Sequence, residues 1–163
     1  MHFKKINTLF GWLVFTIAAV VYLNTIEPTA SFWDCGEFIA CADKLEIGHQ
    51  PGAPFFLLLG RLSSLFAGNN HALVARMVNS LSALAAAFTI MFLFWTITHL
   101  TWKMVLKNNR HSAIGTITIL SSGLAGALAC TFSDTFWFSA VEGEVYATSS
   151  PHHHITSSLH YFL

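Results

Sequence analysis

Three long stretches nearly free of charge decide what this chain can fold into. Leu9 to Ile26 is an uncharged run behind Lys4 and Lys5, Ala72 to Leu100 carries Arg76 and Asn79 only near its start, and Ala113 to Phe138 is rich in Gly, Ala and Ser. About 20 apolar helical residues cross a hydrocarbon core about 30 Å thick, so each run has the length of a span. Only 10% of the residues are charged, against about a quarter in a soluble domain. The fold class expected is therefore an all-α membrane protein with about three transmembrane helices.

The first run has a rival reading as a cleavable signal. A signal has a shorter apolar core and a small-residue cleavage site, and Tyr22-Leu-Asn-Thr-Ile-Glu-Pro28 offers neither. Pro54 to Ala67 is apolar but interrupted by Arg61. As a helix it reaches only about 20 Å, which is too short to cross. Topology gives an independent argument. Lys103, Lys107 and Arg110 crowd one short loop and Lys4 and Lys5 mark the N-terminus, and the positive-inside rule puts both groups on the cytoplasmic side. Two spans between them satisfy the rule, so Pro54 to Ala67 is read as an interfacial or re-entrant helix.

The expected protein is multi-pass in the inner (cytoplasmic) membrane, with a cytoplasmic N-terminus, residues 27–71 outside, 101–112 inside and the chain from about 139 outside again. All eight acidic residues then fall in or beside external segments, which directs any chemistry to the outer face. Eight Lys plus Arg balance them, so nothing points to a nucleic-acid partner. Cys35 and Cys41 on one helix lie beyond disulfide reach, and Cys130 falls in a span.

On the first external loop, Ser31-Phe-Trp-Asp34 is close to a capping box and Gly48 supplies a stop, so Ser31 to Ile47 reads as a helix of about four turns. Its wheel puts Asp34, Glu37, Phe38, Cys41 and Leu45 on one side, against the bundle, and Asp43 opposite. Two readings stand for the carboxylates. In one, Asp34 and Glu37 share a partly dry site where desolvation and mutual repulsion suit a carboxylate to acid/base work; in the other, Asp34 caps the helix and Glu37 is solvated.

Other residues also have paired readings. His49-Gln-Pro-Gly-Ala-Pro54 holds a fixed loop, whose His49 and Gln50 either bind a sugar or phosphate or are structural. Arg76 and Asn79, one turn apart, suit an anionic head group, with snorkelling of Arg76 the equal alternative. The Gly123 to Gly126 spacing suits close helix contact or is composition alone. Phe132, Phe136, Trp137 and Phe138 read as an interfacial aromatic belt.

Taken together, Ser31-Phe-Trp-Asp-Cys-Gly-Glu-Phe38, His49-Gln-Pro-Gly-Ala-Pro54, Arg76 with Asn79, and Val141-Glu-Gly-Glu-Val-Tyr146 resemble a bacterial transmembrane family related to protein O-mannosyltransferases, within the membrane glycosyltransferases of the GT-C fold. The likeness covers roughly residues 5–148, as an incomplete GT-C-like bundle. It implies transfer of a sugar such as mannose from a lipid-linked polyprenyl-phosphate donor to a hydroxyl on an exported protein acceptor. By that likeness Asp34 is the catalytic base and Glu37 its acidic partner. His49, Gln50, Arg76, Asn79, Glu142, Glu144 and Tyr146 are then candidates for donor or substrate binding. As a cofactor, a divalent metal would find oxygen ligands in Glu142 and Glu144.

Family members are much longer, and residues 149–163, with His152-His153-His154, do not continue the pattern. The chain therefore reads as an N-terminal piece, truncated or frameshifted, from which full activity is not expected alone. The rival from another class is a non-catalytic membrane module whose external acidic helix binds a partner. A transporter fragment is disfavoured, because the centres of the spans lack charge.

Overall fold

The computed structural model describes residues 2–31, 34–49, 53–68, 70–106 and 113–143. They form six α-helices: α1 (His2–Asn24), α2 (Cys35–Lys44), α3 (Pro54–Ser64), α4 (Val74–Leu106), α5 (Ala113–Thr131) and α6 (Asp134–Val141). Three apolar segments, Phe3–Asn24, His71–Val105 and Ala113–Thr131, are long enough to cross a membrane. The all-α membrane architecture read from the sequence is the one found.

The bundle is held by small residues facing large ones. Gly11 of α1 lies against the Trp95 indole of α4, which donates a 3.3 Å hydrogen bond to the Asn7 carbonyl, and Phe15 packs on Phe88 at 4.6 Å between centroids, so α1 and α4 run antiparallel. Helix α5 returns beside α4. A Cβ at Gly123 would lie 2.9 Å from the Phe94 ring, so the helices approach closely only because that position is glycine. The Gly123 to Gly126 spacing thus serves helix contact. Val14, Ala18, Tyr22, Ala87, Ile90 and Phe94 build the core between the spans, and the Tyr22 hydroxyl donates to the Thr131 carbonyl at 3.1 Å.

This path sorts the bundle into two ends. Lys4, Lys5 and Lys103 share one end, as the positive-inside argument expects, and α2, α3 and α6 gather at the other with the described acidic residues. With 33 residues, α4 is about 50 Å long, so it tilts or extends past the hydrocarbon.

Helix α3 continues into a short 3₁₀ turn, Leu65–Ala67, and remains too short to cross. It buries Phe56, Leu57 and Gly60 against α2 and α4, while Phe55, Leu58, Leu62, Leu65 and Phe66 form an exposed apolar ridge. A short amphipathic helix of this kind suits the membrane interface.

The third apolar run is not continuous to Phe138. It breaks at Phe132 and Ser133, where the Ser133 hydroxyl donates to the Cys130 carbonyl at 2.9 Å and the backbone turns extended. Such a side-chain bond competes with the helix ladder. Helix α6 then packs across the ends of α1 and α4. The Trp137 indole donates to Thr25 Oγ1 at 2.9 Å, and the Phe136 ring packs on Tyr22. Two members of the supposed belt therefore hold α6 in place, whereas Phe132 and Phe138 stay exposed.

Candidate functional site

Helix α2 is shorter than the capping pattern implies. It begins at Cys35 rather than Ser31, because the Ser31 hydroxyl is engaged elsewhere, donating to Glu142 Oε1 at 2.6 Å. It ends before Gly48. Leu45 adopts the left-handed conformation at φ 55°, and the Glu46 N–H closes the last turn on the Cys41 carbonyl at 3.0 Å. This closure normally falls to glycine.

The buried side of α2 consists of Cys35, Ile39, Cys41 and Ala42. Ala42 sits against Gly60 of α3, and Cys35 and Cys41 form no disulfide. The expectation that Asp34 and Glu37 occupy the packed face is therefore corrected. Their side chains are 62% and 39% exposed, so the site they form is open, not dry. Asp34 stands at the start of α2, but its carboxylate makes no capping hydrogen bond.

What organises the two carboxylates is His49. The turn after Leu45 brings the chain back over α2, so that Glu37 Oε1 accepts the His49 backbone N–H at 2.7 Å and Glu37 Oε2 meets His49 Nδ1 at 2.9 Å. The other ring nitrogen, Nε2, lies 3.7 Å from Asp34 Oδ2. The Phe38 ring supports the imidazole at 5.9 Å between centroids and itself packs edge-on against Phe56 of α3. Hydrogen bonds from the His49 backbone and then its ring hold the Glu37 carboxyl below the ordinary carboxylate range. Reciprocally, the bond to Glu37, and after it the charges of Glu37 and Asp34, raise the His49 pKa. One ligand atom from each of Asp34, Glu37 and His49 lies within 4.8 Å of the others.

The remaining candidates scatter. Asn79 is fully buried. Its amide donates to the carbonyls of Glu27 at 2.8 Å and Thr29 at 3.2 Å, which fixes the start of the first loop to α4. Arg76 is exposed one turn away and, among the described residues, pairs with no carboxylate, so it and Asn79 do not share a surface. Glu142 is held by Ser31, and the Glu27 N–H bonds the Val141 carbonyl at 3.2 Å, so the two loops are clasped together. Gly143 completes the clasp: a Cβ there would meet Asn79 Oδ1 at 2.9 Å. Gln50, Glu144 and Tyr146 lie outside the described residues.

Asp43, placed on a solvated face by the helical wheel, pairs with Arg61 at 3.2 Å. Arg61 also donates to the Asp43 carbonyl. This pairing joins α2 to α3, and spacing gave no sign of it. A cavity of about 530 Å³ lined by Phe3, Lys4, Asn7, Thr8, Trp95, Thr98, His99 and Trp102 opens at the opposite, basic end, away from the carboxylates.

Comparison with known proteins bears on what this arrangement serves. Residues 34–160 match the family described as the protein O-mannosyl-transferase TMEM260 N-terminal domain. The chain is 28% identical over 138 residues to the protein O-mannosyl-transferase tmem260 of Dictyostelium discoideum, covering 85% of this chain and 15% of that protein. It is 29% identical over 138 residues to the protein O-mannosyl-transferase TMEM260 of Mus musculus, covering 84% and 17% respectively. The chain thus spans only about a sixth of these relatives. No solved structure matches. On the extent of the family match, which takes in the acidic helix, His49 and both later spans, this chain belongs to the protein O-mannosyl-transferase TMEM260 N-terminal domain family.

Proposed function

We propose that this region supplies the acid/base end of a membrane glycosyltransferase, which moves a sugar, mannose by analogy with the relatives' names, from a polyprenyl-phosphate donor to a protein hydroxyl. The observation that carries the proposal is the unequal engagement of the two carboxylates. Glu37 uses both oxygens on His49, whereas Asp34 approaches only His49 Nε2 and leaves Oδ1 without a hydrogen-bond partner among the described residues. Asp34 is therefore the group with an oxygen available to take a proton. As the acceptor oxygen attacks the anomeric carbon, its proton passes to Asp34 and the carbon–oxygen bond to the lipid phosphate breaks. Glu37 acts by fixing His49, and Arg76, exposed at the same end, is the candidate cation for the departing phosphate.

The test is transfer of labelled sugar from a polyprenyl-phosphate donor to a protein acceptor in membranes, by a full-length chain carrying this region, with and without Asp34→Asn. The reading also requires the acidic end to face the non-cytoplasmic side. A cysteine placed at Asn70 should react with an impermeant thiol reagent from outside intact cells, whereas one at Asn108 in the basic loop should not. The reverse pattern would overturn the orientation.

A further inference from the structure

We propose that Asp34 and His49 form a binding site for a divalent cation of the Mn²⁺ or Zn²⁺ type, with Glu37 as the carboxylate that orients the histidine. The donor set is mixed, one imidazole nitrogen and one carboxylate oxygen, and it is prearranged. Glu37 Oε2 takes the Nδ1 side of the ring at 2.9 Å while Oε1 holds the His49 backbone N–H at 2.7 Å, so ring and backbone are both fixed. Metal-binding histidines are normally held in this way, the second ring nitrogen donating to a carboxylate and leaving the first one's lone pair for the ion. Here the first nitrogen, Nε2, points to Asp34 Oδ2 across 3.7 Å. Two metal–ligand bonds of about 2.1 Å span up to about 4.2 Å, so an ion fits between these atoms without moving α2.

Charge supplies a second argument. With neutral His49 the cluster carries two negative charges, and among the described residues neither Asp34 nor Glu37 has a lysine or arginine partner. Asp43, a few residues along the same helix, has Arg61. A divalent ion between Asp34 and His49 would balance the two carboxylates as Arg61 balances Asp43. Imidazole with carboxylate favours Zn²⁺ or Mn²⁺ over the all-oxygen preference of Ca²⁺. Two protein ligands leave positions open to water or a phosphate oxygen, and coordination through Asp34 Oδ2 leaves Oδ1 for the proton transfer proposed above. The site does not depend on that reading, because binding is measured without donor or acceptor.

The probe is Mn²⁺ added to the detergent-solubilised, untagged chain, with His152, His153 and His154 replaced by Ala in every sample to remove competing imidazoles. The loss of the free Mn²⁺ resonance gives the affinity, and pulsed spectra report a coordinated ¹⁴N. Saturable binding with a histidine nitrogen signal is expected. Both should be lost in His49→Ala, and affinity should fall about 10-fold to 100-fold in Glu37→Gln. Glu46→Gln, an exposed carboxylate outside the cluster, should bind as the parent does. Circular dichroism of each variant checks that it is folded. No saturable binding by the parent, or a ¹⁴N signal that survives in His49→Ala, overturns the site. Neither result decides the sugar-transfer test, where Asp34→Asn is compared with its parent and with His49→Ala: loss of transfer in Asp34→Asn beyond that in His49→Ala belongs to the base and not to the ion.

Discussion

Asn in place of Asp34 is expected to slow sugar transfer about 100-fold to 10,000-fold in a full-length chain, which is the usual cost of losing a positioned base. The fold should survive. Asp34 is largely exposed, its carboxylate makes no capping hydrogen bond and, among the described residues, it pairs only with His49, and Asn is as good as Asp at a helix start. Activity and stability therefore separate at this residue. Glu37→Gln should do less damage: a Gln oxygen can still accept the His49 N–H, while the charged partner of the ring is lost. The control needs care, because the helical wheel nominates Asp43, yet Asp43 joins α2 to α3 through Arg61 and its loss disturbs the helix that carries the site. Glu46 is exposed and is the better choice. Near-normal transfer by Asp34→Asn, with expression matched, would falsify its role as base.

The second large effect is on folding. Asn79→Leu keeps the volume of a fully buried side chain but removes both donors that hold the Glu27 and Thr29 carbonyls. Lost hydrogen bonds and stranded acceptors should together cost about 2–4 kcal/mol. Asn79→Asp should cost more, because it sets a carboxylate against the same two carbonyl oxygens. Chemical unfolding in detergent measures the loss. Hydrogen exchange should also show residues 25–31 opening before the spans do, because the amide ties that segment to α4. A stability within about 0.5 kcal/mol of the parent, the range of an ordinary surface substitution, would show that the first loop is held by other contacts.

The residues differ in how much of their role the sequence could carry. Spans are legible because they are properties of a continuous run: length and missing charge identify α1, α4 and α5, and length with Arg61 sets α3 apart. The spacing of Asp34 and Glu37 likewise shows that they lie near each other. Their surroundings were not legible, because these depend on partners distant along the chain. Ser31 has the look of a helix cap but is taken by Glu142, 111 residues away, so α2 starts later, and which of its faces is buried is set by α3 and α4 rather than by its own spacing. Leu45 gives no local warning of a left-handed turn, yet that turn delivers His49 to Glu37. Asn79 looked like a surface residue beside Arg76. Its inward amide is visible only once the first loop has been laid over α4.

For the proposed sugar transfer, the apolar ridge of α3 has a consequence for how a donor would arrive. Phe55, Leu58, Leu62 and Phe66 face outward from a helix whose other side packs against α2, and Phe38 links the His49 ring directly to Phe56. With the ridge seated among the head groups, the carboxylates are held close above the lipid surface. In the reaction proposed above, a donor anchored by a polyprenyl chain would then reach them by a search in two dimensions, along the leaflet. A freely dissolved sugar phosphate has no such guidance. Thus α3, without contributing a reacting atom, can bias which form of sugar this end of the bundle meets.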